Sequence, residues 1–292
     1  MSIINKVPAG AGAEWLLGAF ALIRKAPLAL GMLGVIWGML SMLAVQTMAL
    51  NATFGLLMQL ALALLAPLLF AGMLWAVREV DEGRAAAPSH LFHAVRSEYA
   101  ASLLATLLPQ LVAALVLGVL LVAMIGPSDL QNLADVVAKL QETAQAGGQP
   151  DPALMSGLPV GRLFLWLLML FAAVIAMSLV TFVAVPDIVF GGNGGFAAMR
   201  NSFRACVQNL PAMLVFYVLL FIALFALSIG IQLLAMVVQL VAGPIVGMWI
   251  ANLLLMAVLM PLMAGAVFHA WRQMLGGGAA VDPAVAQTHL EA

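Results

Sequence analysis

His90 and His93 are the side chains whose types and spacing come nearest to a metal site. Residues three apart share one face of a helix, so two imidazoles with Glu98 close by could ligate a zinc ion. The sequence offers no firm third ligand, and two imidazoles alone make a weak zinc site. We therefore interpret the pair as part of a surface helix and expect neither a metal nor another cofactor.

Hydrolytic chemistry inside a membrane requires a nucleophile with its base, or a pair of carboxylates. Ser178 and Thr181 are candidate nucleophiles, but no histidine lies in the same apolar stretch. His269 is the one histidine within a predicted span, and its position near the end of that span indicates an interfacial role. Asp187 is expected to cap the helix end at which it lies. The sequence therefore predicts that the protein is not an enzyme.

Glycine-rich patterns suggest two further functions. The run Gly191–Gly195 could cradle a phosphate, but no Lys followed by Ser or Thr comes after it, so a flexible hinge is favoured. Gly34 with Gly38 and Gly243 with Gly247 form GxxxG pairs, which allow close helix approach. We expect these pairs to pack helices within the protein, with a dimer face as the alternative.

A phenylalanine precedes an arginine by four residues at four places. Chance pairing of 14 Phe with the arginines of this chain would give fewer than one such pair. On an α-helix the ring and the guanidinium would share one face, so the ring can enter the acyl boundary while the guanidinium reaches the phosphates. We call these pairs the Phe–Arg elements; they are Phe20 with Arg24, Phe92 with Arg96, Phe196 with Arg200, and Phe268 with Arg272.

Three of the Phe–Arg elements each precede a pair of predicted spans. This pattern is typical of three similar units, each made of a surface helix and a helical hairpin. Pro67 and Pro261 both lie eleven residues before an arginine, which supports the repeat, although the middle unit lacks that spacing. The alternative is that membrane interfaces independently favour an aromatic residue together with an arginine.

Composition excludes a water-soluble globular protein. Of the 292 residues, 65% are hydrophobic and 8% are charged, and the mean hydropathy is +1.14, whereas soluble domains are about 25% charged. A net charge of -1 leaves no basic face that could neutralise several phosphates, so nucleic acid is not an expected partner. The single cysteine, Cys206, excludes an internal disulfide.

Long stretches without charge locate the spans, because a charged side chain at the bilayer centre costs about 2.5 to 3.5 kcal/mol. Two of these stretches are too long for one helix of about 20 residues, and they divide at Asn51 and at Gly243-Pro244. The sequence predicts an all-α, polytopic membrane protein: one six-helix transmembrane domain over residues 1–275, with short interfacial helices. The predicted spans are 27–49, 55–77, 100–125, 163–186, 211–239 and 245–271.

Nine of the eleven Lys and Arg residues fall on one side of this topology, and only Lys139 and Arg162 fall on the other. Basic residues are retained on the cytoplasmic side, so we expect both termini in the cytoplasm. The loop 127–161 is then periplasmic, and its apolar spacing from Leu130 to Leu140 predicts an amphipathic helix. Residues 276–292 are predicted to be a disordered cytoplasmic tail.

Four short motifs are informative when they are taken together. They are Lys6-Val-Pro-Ala-Gly10 followed by Trp15, Arg24-Lys25-Ala-Pro27, Pro186-Asp187, and Ala198-Met-Arg-Asn-Ser202. With these motifs the chain resembles an uncharacterised family of proteobacterial six-helix inner-membrane proteins, which is distantly similar to the membrane domain attached to some glycerophosphodiester phosphodiesterases. The resemblance covers nearly the whole chain and implies a bacterial inner membrane, but it supplies no catalytic residues, so the phosphodiesterase activity does not carry over.

The predicted topology gathers six basic residues at one depth on the cytoplasmic side. We expect them to bind anionic lipid headgroups, with non-selective anchoring as the alternative. The function that follows is that of a non-enzymatic inner-membrane protein that organises lipid or membrane-protein partners at the cytoplasmic face. A passive transporter or flippase for a small apolar or lipid-like substrate is the alternative. The predicted site residues are Arg24, Lys25, Arg96, Arg200, Arg204 and Arg272.

Overall fold

A computed structural model describes residues 4–145, 148–149 and 157–276 of the chain. These residues form helices and no strand, and six of their helical segments are long and apolar enough to cross a membrane. The protein is therefore an all-α, multi-pass membrane protein, as the sequence predicts. The tail predicted to be disordered lies, apart from Gly276, outside the described residues.

Eleven α-helices and one 3-10 helix are seen in the part of the chain that the structure describes. In chain order they are α1 Ala11–Lys25, α2 Pro27–Leu50, α3 Ala52–Asp81, the 3-10 helix Pro88–Arg96, α4 Ala100–Ala105, α5 Leu108–Ile125, α6 Pro127–Gln145, α7 Val160–Thr181, α8 Ala184–Val189, α9 Gly195–Gln208, α10 Leu210–Ala242 and α11 Pro244–Met274.

The turns within two of the hairpins lie where the sequence divides the long apolar stretches. Asn51 ends α2 and caps α3, because its side-chain oxygen accepts a hydrogen bond from the Phe54 amide at 2.9 Å. Gly243 has a φ of 86°, which favours glycine, and Pro244 then begins α11. Both residues stop one helix and start the next through local backbone chemistry, so the sequence alone locates them.

Two predicted spans are not continuous helices. The span predicted at 100–125 breaks at Thr106, between α4 and α5, and the span predicted at 163–186 breaks after Thr181, between α7 and α8. At the second break, the Ser202 hydroxyl donates to the Leu179 carbonyl at 2.9 Å and accepts from the Val183 amide at 3.1 Å. A buried serine from another helix thus satisfies the backbone groups that the break frees, which hydropathy alone could not reveal.

The contacts within the chain group it into two compact units. Unit 1 takes Met1–Leu107 and Leu179–Ala292, of which residues 4–107 and 179–276 are described, and unit 2 takes Leu108–Ser178. Hydropathy locates spans but does not tell which of them pack together. The unit boundaries fall close to the two helix breaks.

Unit 1 contains a densely packed core. Trp15 of α1 is fully buried against Phe182 and Phe216, with ring centroids 6.2 and 6.0 Å away. At Gly34 of α2, an added Cβ would lie 2.7 Å from the Cα of Ala257 in α11, so the two backbones are in contact. The prediction that this GxxxG pair packs helices within the protein is confirmed.

Unit 2 consists of α5, α6 and most of α7. The Trp166 indole donates to the Leu117 carbonyl at 3.0 Å, and the Arg162 guanidinium donates to the Met124 carbonyl at 3.2 Å. Arg162 also lies 3.5 Å from Asp129 at the start of α6. α6 covers the segment for which the apolar spacing predicts an amphipathic helix.

Candidate functional site

The outer face of α9 combines exposed aromatic and basic side chains. Phe196 is 68% exposed and Phe203 is 44% exposed, although both are large and apolar. Arg200 lies between the two phenylalanines in the sequence, Arg204 directly follows Phe203, and both arginines are exposed. Residues spaced by three and four lie on one side of a helix, so the rings and the guanidinium groups form a single stripe. We call this stripe the α9 outer face.

The opposite side of α9 fixes its orientation. Ala198, Ser202, Ala205 and Cys206 are buried, and Ser202 joins the helix to the break between α7 and α8. Burial raises the pKa of the Cys206 thiol to about 12, because the apolar surroundings disfavour the thiolate. The α9 outer face is therefore held outward by a buried inner face.

α1 presents a similar outer face. Its inner side buries Trp15 and Ala19, and the Trp15 indole donates to the Gln273 side chain of α11 at 2.7 Å. Phe20 is 37% exposed, and Arg24 and Lys25 are exposed in the last turn. The first Phe–Arg element thus has both members at the surface.

The second Phe–Arg element lies on a 3-10 helix, so its expected α-helical geometry is wrong. A 3-10 helix has three residues per turn, which separates Phe92 and Arg96 by about a third of a turn around the axis. Both side chains are nevertheless exposed. His90 accepts a hydrogen bond from the Ala87 amide at 3.2 Å, which helps to start this helix. His93 stacks on Trp75, with ring centroids 4.4 Å apart, so the two histidines have separate structural partners.

The fourth Phe–Arg element differs from the others. Phe268 is buried at 4% exposure and does not enter the acyl boundary as expected. The Arg272 guanidinium donates to Asp81 of α3 at 2.6 Å and lies 5.5 Å from the Phe268 ring centroid. Arg272 therefore joins the ends of α11 and α3, and its charge is already paired.

Acidic side chains also pair the arginines at the end of α3, which the sequence did not assign to the site. Arg78 donates to Glu82 at 2.7 Å, and Arg84 donates to Glu79 at 2.8 Å and also pairs with Glu82. Hydrogen bonds donated by Arg78 and Arg84 lower the pKa of Glu82, and the hydrogen bonds that Arg84 donates to Glu79 and Glu82 raise the pKa of Arg84.

Five of the six predicted site residues differ from these paired arginines. They have no ion pair with any acidic side chain in the described part of the chain, and each is exposed. All five belong to unit 1, on α1, the 3-10 helix and α9. Their charges are available to an external anion; they are Arg24, Lys25, Arg96, Arg200 and Arg204.

The sequence did not predict the buried cluster of polar side chains around the carboxylate of Asp187. Asp187 is 2% exposed, and its side chain accepts from Asn193 at 3.1 Å, from Asn201 at 3.0 Å and from the Trp271 indole at 3.4 Å. The expected helix-capping role is wrong, because these partners are side chains of the following turn, α9 and α11. At Gly191 an added Cβ would lie 2.7 Å from the carboxylate, so a glycine lets the turn close over it.

His269 lies near the end of α11, where this helix contacts α1. Its ring packs against α1, where a Cβ added at Gly18 would lie 2.6 Å from the imidazole. Among the described residues, no group of three or more His, Cys, Asp and Glu side chains is arranged to hold a metal ion. Comparison of the chain with protein-family models, with curated proteins and with solved structures finds no match.

Proposed function

We propose that this protein binds anionic lipid headgroups at the cytoplasmic face of a bacterial inner membrane and so organises lipid there, without enzymatic activity. The binding residues are Arg24, Lys25, Arg96, Arg200 and Arg204. Arg272 is omitted, because its guanidinium is paired with Asp81.

The α9 outer face is the observation that supports the proposal. A helix outside the spans would not expose two phenylalanines to water without a cost of hydration. Placed at a membrane surface, the rings enter the acyl boundary, and the unpaired Arg200 and Arg204 reach the phosphates. A basic residue near an anionic leaflet contributes about 1 kcal/mol, so two of them favour an anionic lipid by roughly 30-fold.

Headgroup selectivity tests the proposal directly. Purified protein in mild detergent is incubated with equal amounts of phosphatidylglycerol and phosphatidylcholine, and retained lipid is identified by native mass spectrometry. We expect phosphatidylglycerol to be preferred. The Arg200→Gln/Arg204→Gln variant should lose lipid from α9, whereas Arg78→Gln/Arg84→Gln removes the same charge from paired arginines and should retain wild-type binding.

Equal retention of the two lipids by the wild-type protein would overturn the proposal. If such a protein also carried labelled lipid across a vesicle bilayer, the passive transporter or flippase would become the better description.

The proposed orientation has its own test. Alkaline phosphatase fused after residue 150 should be active, because that loop is assigned to the periplasm, and fusions after residues 85, 195 and 285 should be inactive. Activity at residue 195 would place α9 on the wrong side for the proposed function.

A further inference from the structure

Two of the three short helices that carry an exposed Phe–Arg element pack mainly against the hairpin that precedes them. The 3-10 helix contacts α3 and α2 of the first hairpin, and α9 contacts α8 and α4, which belong to the second. α1 has no hairpin before it and packs instead against α11 and α10, the last hairpin of the chain. The contacts in unit 1 therefore follow a cyclic order, in which the first short helix packs against the last hairpin.

The three Phe–Arg elements also share one register of burial. The residue before each phenylalanine is buried, the phenylalanine is exposed, the residue two positions after it is buried, and the arginine is exposed. This register holds although one helix is 3-10 and the other two are α. The matching buried positions are Ala19, Leu91 and Gly195 before the ring, and Leu22, Ala94 and Ala198 after it.

In all three cases the residue before the phenylalanine lies in a close contact with a neighbouring helix. A Cβ at Gly72 of α3 would overlap the carbonyl group of Leu91, and a Cβ at Gly265 of α11 would lie 2.9 Å from the Cβ of Ala19. Gly72 and Gly265 follow Pro67 and Pro261 by five and four residues.

In the third case the glycine lies on the short helix itself. A Cβ at Gly195 of α9 would lie 2.5 Å from the Ser102 carbonyl oxygen of α4. The hairpin contact and the burial register that the three helices share support a repeat.

We propose that the chain is built of three tandem repeats, each made of a short surface helix and a helical hairpin, and that their contacts follow a cyclic order. The three repeats present three separate headgroup sites, each of which takes one anionic lipid. This inference rests on the proposed function and adds the number and the ranking of the sites. The first site contains Arg24 and Lys25, the second contains Arg96, and the third contains Arg200 and Arg204. Each short helix makes most of its contacts with a different hairpin, and the inference therefore assigns a separate lipid to each site.

The charges rank the sites. The first and third sites each hold two unpaired cations, whereas the second holds one and has the exposed Glu98 two residues further along. Salt screens exposed charges, so the second site should release its lipid at the lowest ionic strength. The first and third sites should release theirs together.

A count of bound phosphatidylglycerol by native mass spectrometry tests the inference. The wild-type protein should hold three tightly bound lipids at saturation. The variants Arg24→Gln/Lys25→Gln, Arg96→Gln and Arg200→Gln/Arg204→Gln should each hold two, and the variant with all five substitutions should hold none. Arg272→Gln is the control, and it should hold three, because that arginine is paired.

The outcomes separate this inference from the proposed function. A wild-type protein that prefers phosphatidylglycerol but holds one or two lipids, or a single-site variant that loses all of them at once, would overturn the three-site arrangement and leave lipid binding intact. A wild-type protein without headgroup preference would overturn both. Slow alkylation of Cys206 in every variant shows that α9 is still packed, since the thiol is buried in the folded protein.

Discussion

Unit 1 and unit 2 use apolar helices in different ways. In unit 1, α3 alone buries eleven residues, and its neighbours contact it through glycines and interlocked aromatic rings. In unit 2, α5 buries only Ile125 and α7 buries no residue. Both kinds of helix are apolar enough to enter a membrane, because insertion depends on transfer of side chains into lipid. Close packing is a separate property, and among the described residues it is seen in the helices of unit 1 and not in α5 or α7.

The reactivity of cysteine should show the largest difference between the units. Burial raises the pKa of Cys206 in unit 1 to about 12, so a far smaller fraction of this thiol than of an ordinary thiol is ionised at pH 8. We expect iodoacetamide to alkylate Cys206 roughly a thousand times more slowly than an exposed thiol, with a rate that rises about tenfold per pH unit.

The matched control for that comparison is an exposed thiol on α6 of unit 2. In the variant Cys206→Ser/Ala138→Cys, the new thiol replaces an exposed alanine and should react at the ordinary rate. Similar alkylation rates for the two proteins, measured by intact mass, would contradict the packing of α9.

Loss of a carboxylate should destabilise unit 1 more than unit 2. Asp187→Ala leaves the side-chain donors of Asn193, Asn201 and Trp271 without their acceptor, which should cost about 3 kcal/mol. Asp129→Ala removes a partly exposed partner of the exposed Arg162 and should cost no more than about 1 kcal/mol. Thermal unfolding in detergent measures both, and a larger loss for Asp129→Ala would reverse the comparison.

Added methyl groups test packing with less disruption. Gly72→Ala places a Cβ against the carbonyl groups of the 3-10 helix and should destabilise the protein by about 1 to 3 kcal/mol. Gly118→Ala in α5 adds a methyl group that would lie more than 4 Å from every atom outside the backbone of its own helix, and it should be neutral or stabilising by up to about 1 kcal/mol, because alanine favours helix. Equal melting temperatures for the two variants would mean that α3 and the 3-10 helix are not in close contact.

Several features of this protein could be predicted because they depend on local chemistry. The six spans follow from the lengths of the charge-free stretches, since the cost of placing a charge in lipid belongs to each segment separately. Asn51 and Gly243 end helices through their own backbone preferences and hydrogen bonds. The stripe of Phe196, Arg200 and Arg204 follows from helical spacing alone.

Other features were decided by the tertiary structure. Arg272 is paired because folding brings Asp81, 191 residues away in sequence, to its guanidinium, and no local pattern distinguishes it from the unpaired Arg24. The break between α7 and α8 is possible because Ser202 of α9 satisfies the freed backbone groups, and Asp187 acquires partners from two other segments. Insertion, turns and helix faces depend on neighbours in sequence, whereas pairing of charges and satisfaction of buried polar groups depend on which helices meet.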